Sequence, residues 1–368
     1  MNNLPTSLLL NGREFHYADI QQYPASSPTE LNGYEAKVLD FVRQWLNGSL
    51  EFGLHTSGST GQPQPVFLKR RQLEASARRT GDYFDLGPGE RMLVCLNCEY
   101  IGGQMMLVRG LERNLHLTIV EPAADPLALV PAGAAFDFAS FVPLQLRTLL
   151  AAGHAGQLNQ MKAILVGGAA VDGALAKAVR ALKVPVYLTY GMTETASHIA
   201  LRRLSGKDAI KSTAYKVLPG IHVGQDARGC LTVRADVTDD QLITTNDQIK
   251  LLDSHAFEWL GRADFVINSG GVKVPAERVE LVLEVALAEL NLGRRAFVTG
   301  LPDERLGQTV TAVLEGAALT PEEETRLLAL LRARLAKYER PRQLRYSEQF
   351  SETASGKLDR LSTVRGLG

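Results

Sequence analysis

The stretch from residue 91 to residue 190 constrains the fold more than any other part of the chain, because short apolar runs alternate there with segments of helical period. Met92–Leu96, Leu115–Val120, Phe136–Val142, Ala163–Val166 and Val184–Leu188 read as strands; Gln104–Arg113, Leu144–Ala152 and Asp172–Leu182 read as helices between them. Parallel strands need a crossover connection, so this alternation predicts βαβ units and an α/β fold with a doubly wound, mainly parallel sheet. The strands are apolar throughout, as a sheet covered on both faces requires. Ala-rich Ala123–Ala135 reads as a loop.

The texture changes after Gly261. Pro275 opens a helix whose apolar face carries Val279, Val282, Leu283 and Leu287, and strands follow near Ala296–Thr299 and Val310–Leu314. Thr320-Pro321-Glu322-Glu323 has the form of a capping box with proline in the first turn, leading into Leu327, Leu328, Leu331 and Leu335. The expected organisation is a large domain over residues 1–262 and a small α+β domain over 263–368.

Composition narrows the function. The 368 residues carry 40 basic and 40 acidic side chains, a formal net charge of zero. That leaves no cationic excess to displace counterions from a nucleic acid, and no apolar stretch approaches the roughly 20 residues of a membrane span. The first ten residues lack a charged segment followed by an apolar run, so the expectation is a cytoplasmic protein. Cys95-x-x-Cys98 lies in and beside an apolar run with no second ligand pair at zinc spacing, and Cys230 is remote. Small buried thiols are expected, not a metal site.

The strongest local signal is His55-Thr56-Ser57-Gly58-Ser59-Thr60-Gly61-Gln62-Pro63. Hydroxyls interleaved with glycines suit a loop that wraps phosphate oxygens, although the spacing is not that of a Walker loop and a solvated Ser/Gly linker is the plain alternative. Four further segments join it in order: Tyr190-Gly191-Met192-Thr193-Glu194-Thr195, Thr244-Thr245-Asn246-Asp247, Gly261-Arg262-Ala263-Asp264 running to Gly270-Gly271-Val272-Lys273, and Ser355-Gly356-Lys357 with Arg360. Together they resemble the adenylate-forming superfamily of acyl-CoA synthetases, peptide-synthetase adenylation domains and luciferases. The matches span residues 56 to 360.

The resemblance implies an enzyme that activates a carboxylic acid with ATP and Mg²⁺ as its acyl-AMP and passes the acyl group to coenzyme A. That chemistry brings two anions together, so it needs positioning and charge neutralisation. By resemblance Thr56, Ser57, Gly58, Ser59, Thr60 and Gly61 hold the phosphates, Glu194 binds the metal, and Thr193 touches the α-phosphate. Gly167, Gly168 and Ala169 form the adenine-side loop with Tyr190, Gly191 and Met192, while Asp247 and Arg262 serve the ribose. Lys357 stabilises the transition state. Asp264 is the hinge of a domain rotation that brings Gly270 and Gly271 to the pantetheine tunnel. Each has a plainer alternative taken alone: Glu194 as a carboxylate at a helix start, Asp247 as a turn residue, Lys357 as a solvated lysine, the glycines as turns.

There are departures from the family pattern. Gln64 stands where a lysine is usual, with Lys69 as an open candidate to replace it, and Tyr100, near Gly103, stands where a gating histidine is common. Only 55 residues precede Thr56, fewer than full members carry. The acid suggested by the resemblance is an aromatic dicarboxylate, with Ser197, His198 and Arg202 as candidates to meet its second anion. Other acyl or aryl acids, transfer to a carrier protein, and an inactive nucleotide-binding protein are the alternatives.

Overall fold

A computed structural model describes residues 4–22, 31–55, 65–169, 171–206, 213–352 and 358–367. Thirteen of its strands form one sheet. In spatial order they are His222–Gln225, Cys230–Arg234, Ile243–Asp253, Ala256–Arg262, Tyr215–Val217, Ser197–Arg203, Val186–Met192, Ala163–Val166, Phe138–Phe141, Arg91–Val94, His116–Ile119, Ser7–Leu10 and Arg13–His16.

The expected parallel sheet is the run from Val186–Met192 to Ser7–Leu10, in which every adjacent pair is parallel. Its inner strands are buried along most of their length, which is why they read as unbroken apolar runs. Helices Ile101–Arg113, Pro143–Ala151 and Gly173–Arg180 make the crossovers. From Val186–Met192 toward the other edge, every pair is antiparallel. Residues 123–135 form the expected connection, with one short turn of helix at Pro126–Leu129.

A second sheet begins at Val266–Ser269 and includes Val272–Pro275, Ala296–Asp303, Gly307–Glu315 and Gln343–Ser347. Helix Ala276–Glu289 buries Val279, Leu283 and Leu287 against it. Thr320 caps helix Pro321–Arg334 as expected: its hydroxyl accepts the Glu323 N–H, and Glu323 accepts the Thr320 N–H at 2.8 Å. The main apolar cores are separate, one drawing on residues 8 to 257 and the other on residues 267 to 335. The molecule therefore has a large N-terminal and a smaller C-terminal domain.

Candidate active site

The parallel strands Ala163–Val166 and Val186–Met192 lie side by side, Ile164 opposite Val186 and Val166 opposite Leu188. Residues 167–169 therefore leave the sheet beside residues 189–192, which run on past the end of Ala163–Val166 while still paired with Ser197–Arg203, at the carboxyl ends of the parallel strands, where α/β folds bind ligands. Gly167 is dictated by that proximity: a Cβ there would lie 2.3 Å from Thr189 Oγ1. Gly168 has φ +85°, a left-handed conformation suited to glycine.

After Met192 the chain makes one tight turn, Thr193–Thr195, and reverses through Ala196 and Ser197, both at positive φ. Buried Thr195 holds the turn, its hydroxyl accepting the Met192 N–H at 3.0 Å and donating toward the Ser197 carbonyl at 2.8 Å. Gly191 lets the returning strand close in, since a Cβ would meet the Ser197 carbonyl oxygen at 2.1 Å. Glu194 is exposed and Thr193 half-buried on this turn.

Asp247 reaches the same region from strand Ile243–Asp253, where alternation turns it inward with Thr245 and Ile249. The Tyr190 hydroxyl donates to Asp247 Oδ2 at 2.6 Å, and the Trp259 indole N–H donates to Oδ1 at 3.2 Å. Burial, then the Asp247 charge, raises the Tyr190 phenol far above its ordinary range, so it remains a donor. Tyr190 and Asp247 are four strands apart in the sheet order, which in a flat sheet means about 19 Å. The antiparallel strands must curl over to close that distance, and Tyr190 packs on Phe257 and Tyr215 inside the curl, at 5.2 and 5.7 Å between ring centroids.

Arg262 is the cross-strand partner of Asp247 and donates to Asp264 at 2.5 Å. Its backbone N–H donates to Glu277 at 3.2 Å, tying the end of the large sheet to helix Ala276–Glu289. Gly261 has φ +135°, and a Cβ there would come within 2.7 Å of the Glu277 carboxylate. Gly270 and Gly271, at φ +60° and +82°, make the two-residue turn between Val266–Ser269 and Val272–Pro275, a geometry that favours glycine at both positions.

The candidate acid-binding residues fall together with one that sequence reasoning missed. Arg109, on helix Ile101–Arg113, is 2% exposed and donates to Ser197 Oγ at 3.1 Å and His198 Nδ1 at 3.4 Å. His198 Nε2 lies 3.2 Å from Thr80 Oγ1, which donates to the Ser76 carbonyl at 3.0 Å. These partners fix the neutral Nε2–H tautomer, and burial, reinforced by Arg109 and Arg79, holds the imidazole well below its usual range. Among the described residues Arg109 has no acidic partner, and its Nε has no hydrogen bond. Burial lowers its pKa to about 9, so it stays charged at neutral pH. The available signal was a single charge inside the run Met105-Met106-Leu107-Val108-Arg109. Arg202, by contrast, lies over the Tyr215 ring at 5.4 Å.

Tyr100 is half-buried at the start of that helix, and Gly103 packs against backbone, where a Cβ would be 2.3 Å from the Asn97 carbonyl oxygen. Lys69 pairs with Asp239 at 2.7 Å. Cys95, Cys98 and Cys230 are free and buried, and burial pushes the Cys98 thiol up to about 12. Among the described residues no cluster of His, Cys, Asp or Glu forms a metal cage, and no helix is long and apolar enough to cross a membrane. Thr56, Ser57, Gly58, Ser59, Thr60, Gly61 and Lys357 lie outside the described residues.

With this geometry in place, the comparisons with known proteins decide the family. The profile of the AMP-binding enzyme matches residues 28–228, and that of the AMP-binding enzyme C-terminal domain matches residues 282–357. The chain belongs to the AMP-binding enzyme family. A 2-succinylbenzoate–CoA ligase from Bacillus cereus is 28% identical to this AMP-binding enzyme over 389 aligned residues, covering 97% of this chain and 78% of the relative. The crystal structure of an acyl-CoA synthetase (AMP-forming)/AMP-acid ligase II-like protein from Dyadobacter fermentans is 44% identical. It has a TM-score of 0.61 and coverage of 93% and 97% of the two chains. An o-succinylbenzoate coenzyme A synthetase from Bacillus subtilis, in complex with ATP and magnesium, shares the fold at a TM-score of 0.71. Its identity is 22%, over 85% of this chain and 69% of that one. The enzymatic class of this chain is that of the AMP-forming acyl-CoA synthetases.

Proposed function

We propose that this AMP-binding enzyme ligates a dicarboxylic aromatic acid, o-succinylbenzoate, to coenzyme A, the ligation used in menaquinone biosynthesis. The observation that carries the choice of acid is Arg109. A buried guanidinium with no acidic partner among the described residues costs the fold desolvation energy that a bound anion would offset. It stands against Ser197 and His198, just past the turn that carries Thr193 and Glu194. The 2-succinylbenzoate–CoA ligase relative supports the same acid.

In this reading ATP lies along the edge formed by residues 167–169 and 190–194. Asp247 receives the ribose hydroxyls, Arg262 supports them, and Thr193 contacts the α-phosphate. The loop Thr56–Gly61 holds the distal phosphates. A magnesium ion would rest on Glu194 and phosphate oxygens, as a hard cation that keeps few protein ligands does; when bound it neutralises phosphate charge. The chain's own groups orient the carboxylate for attack and exclude water from the acyl-AMP. Lys357 donates to the developing charge. The domain boundary falls near Arg262, and Asp264 is the hinge about which residues 263–368 turn between the two half-reactions, bringing Gly270 and Gly271 toward coenzyme A.

The test is release of AMP and pyrophosphate with ATP, Mg²⁺ and coenzyme A, comparing o-succinylbenzoate with benzoate, acetate and octanoate. Selective, coenzyme-A-dependent turnover of o-succinylbenzoate is expected. Preference for a monocarboxylate would overturn the choice of acid, and acyl transfer only to a carrier protein would overturn the acceptor.

A further inference from the structure

The carboxylate assigned to the ribose is gripped by a side chain that no motif points to. Asp247 has two oxygens with about four acceptor positions between them. The Tyr190 hydroxyl takes one on Oδ2, and the Trp259 indole N–H takes one on Oδ1. Among the described donors one acceptor is thus left on each oxygen, the number that a vicinal diol needs. Asp247 is buried while Trp259 is half-buried on the neighbouring strand Ala256–Arg262. Tyr190 alone would fix one oxygen and leave the carboxylate free to rock about its terminal torsion; the second donor removes that freedom.

We infer that Trp259 is a positioning residue for nucleotide binding, its indole N–H setting the rotation of the Asp247 carboxylate so that both ribose hydroxyls are accepted at once. The inference rests on the ribose role proposed above for Asp247. A tryptophan serving only to fill space would contribute equally to every nucleotide. A tryptophan that orients Asp247 contributes only where a ribose hydroxyl is present to be accepted.

The experiment measures equilibrium binding of ATP, 2′-deoxy-ATP and 3′-deoxy-ATP to the full chain, as wild type, Trp259→Phe, Asp247→Ala and the double variant. Trp259→Phe is expected to weaken ATP binding about five- to tenfold, the scale of one ordinary hydrogen bond, and to weaken one or both deoxy analogues distinctly less. In the Asp247→Ala background it should add nothing. Equal weakening for all three nucleotides, or none, overturns the inference. Wild type that binds ATP and both deoxy analogues alike removes the ribose role of Asp247 itself, a separate failure. Because no acid is needed, the identity of the acid does not enter.

Trp45 and Trp259 are the two tryptophans of the chain, which provides a second readout should Trp259→Phe fold poorly. In Trp45→Phe, saturable change of the remaining emission is expected with ATP, and at higher concentration with the deoxy analogues. Unchanged emission at ATP concentrations that saturate binding by an independent method would refute the contact.

Discussion

Arg109→Met separates stability from function at one position. Burial holds the guanidinium down to about 9 from 12.5. At about 1.4 kcal/mol for each pH unit, keeping it charged inside the fold costs about 5 kcal/mol. The hydrogen bond to Ser197 at 3.1 Å returns about 1.5–3 kcal/mol, the 3.4 Å contact to His198 less. Methionine removes the charge, keeps most of the volume beside Met105 and Met106, and leaves His198 Nδ1 short of a donor. The net expectation is stabilisation by about 1–2 kcal/mol, read by urea unfolding. The sign with pH follows from the depressed pKa: stability tied to this group is lost as pH falls from 12.5 through 9. The variant's gain is therefore complete at pH 7–8 and shrinks above pH 9. Use of o-succinylbenzoate should fall about 100-fold in kcat/KM, with the KM for ATP and turnover of monocarboxylates little changed. A variant destabilised by more than about 1 kcal/mol that still prefers the dicarboxylate would refute both halves of the reasoning.

Glu284, on helix Ala276–Glu289, is pushed up to about 7 by burial and then by the charges of Glu280 and Asp172, so its stabilising neutral form is present below pH 4.5 and lost as pH rises through 7. Glu284→Gln should leave unfolding free energy unchanged at pH 4.5 and raise it by about 2 kcal/mol at pH 8; a pH-independent effect would contradict this. Gly191→Ala places a methyl group 2.1 Å from the Ser197 carbonyl oxygen and should cost more than about 2 kcal/mol and most of the activity, measured by unfolding and pyrophosphate release. Lys357→Ala should slow formation of acyl-AMP about 100-fold or more while sparing thioester formation from supplied acyl-AMP; equal loss of both steps would remove its assigned role.

The parallel block was legible because strands buried on both faces carry apolar residues without interruption, and Ala163–Val166 matches its expected bounds. The antiparallel strands were not. Ser197–Arg203 holds a serine, a histidine and two arginines, and His222–Gln225 is largely polar, so neither announces itself as an apolar run. Ile243–Asp253 buries Thr245, Asp247 and Ile249 and exposes Thr244, Asn246 and Lys250, but two of its three buried residues are polar, so the sequence carries no apolar alternation to announce it. That register places Asp247 on an inward face, a property that a turn aspartate would lack. The capping box at Thr320 was legible because it is local in sequence. Arg109 and Trp259 were not, since their partners lie 89 and 12 residues away.

The curl of the antiparallel strands is the feature that turns separate motifs into one site. Parallel strands with helical crossovers can bring residues 167–169 and 189–194 together, because both segments follow the last parallel pair, Val166 opposite Leu188. They cannot bring Asp247 to Tyr190, with the strands of Ser197–Arg203, Tyr215–Val217 and Ala256–Arg262 between them in the sheet. Three features allow the closure. Strand Tyr215–Val217 is short, pairing at two positions with each neighbour and so offering little resistance to bending. The ladder between Ile243–Asp253 and Ala256–Arg262 shifts register after Gln248, which increases local twist. Tyr215 and Phe257 stack at 5.6 Å and fill the concave side against Tyr190. An aromatic wedge that sets the curl also sets the distance from residues 167–169 to Asp247, the proposed ribose acceptor. Trimming Phe257, which is fully buried, should therefore weaken nucleotide binding, and should do so in proportion to the loss of the Tyr190–Asp247 hydrogen bond.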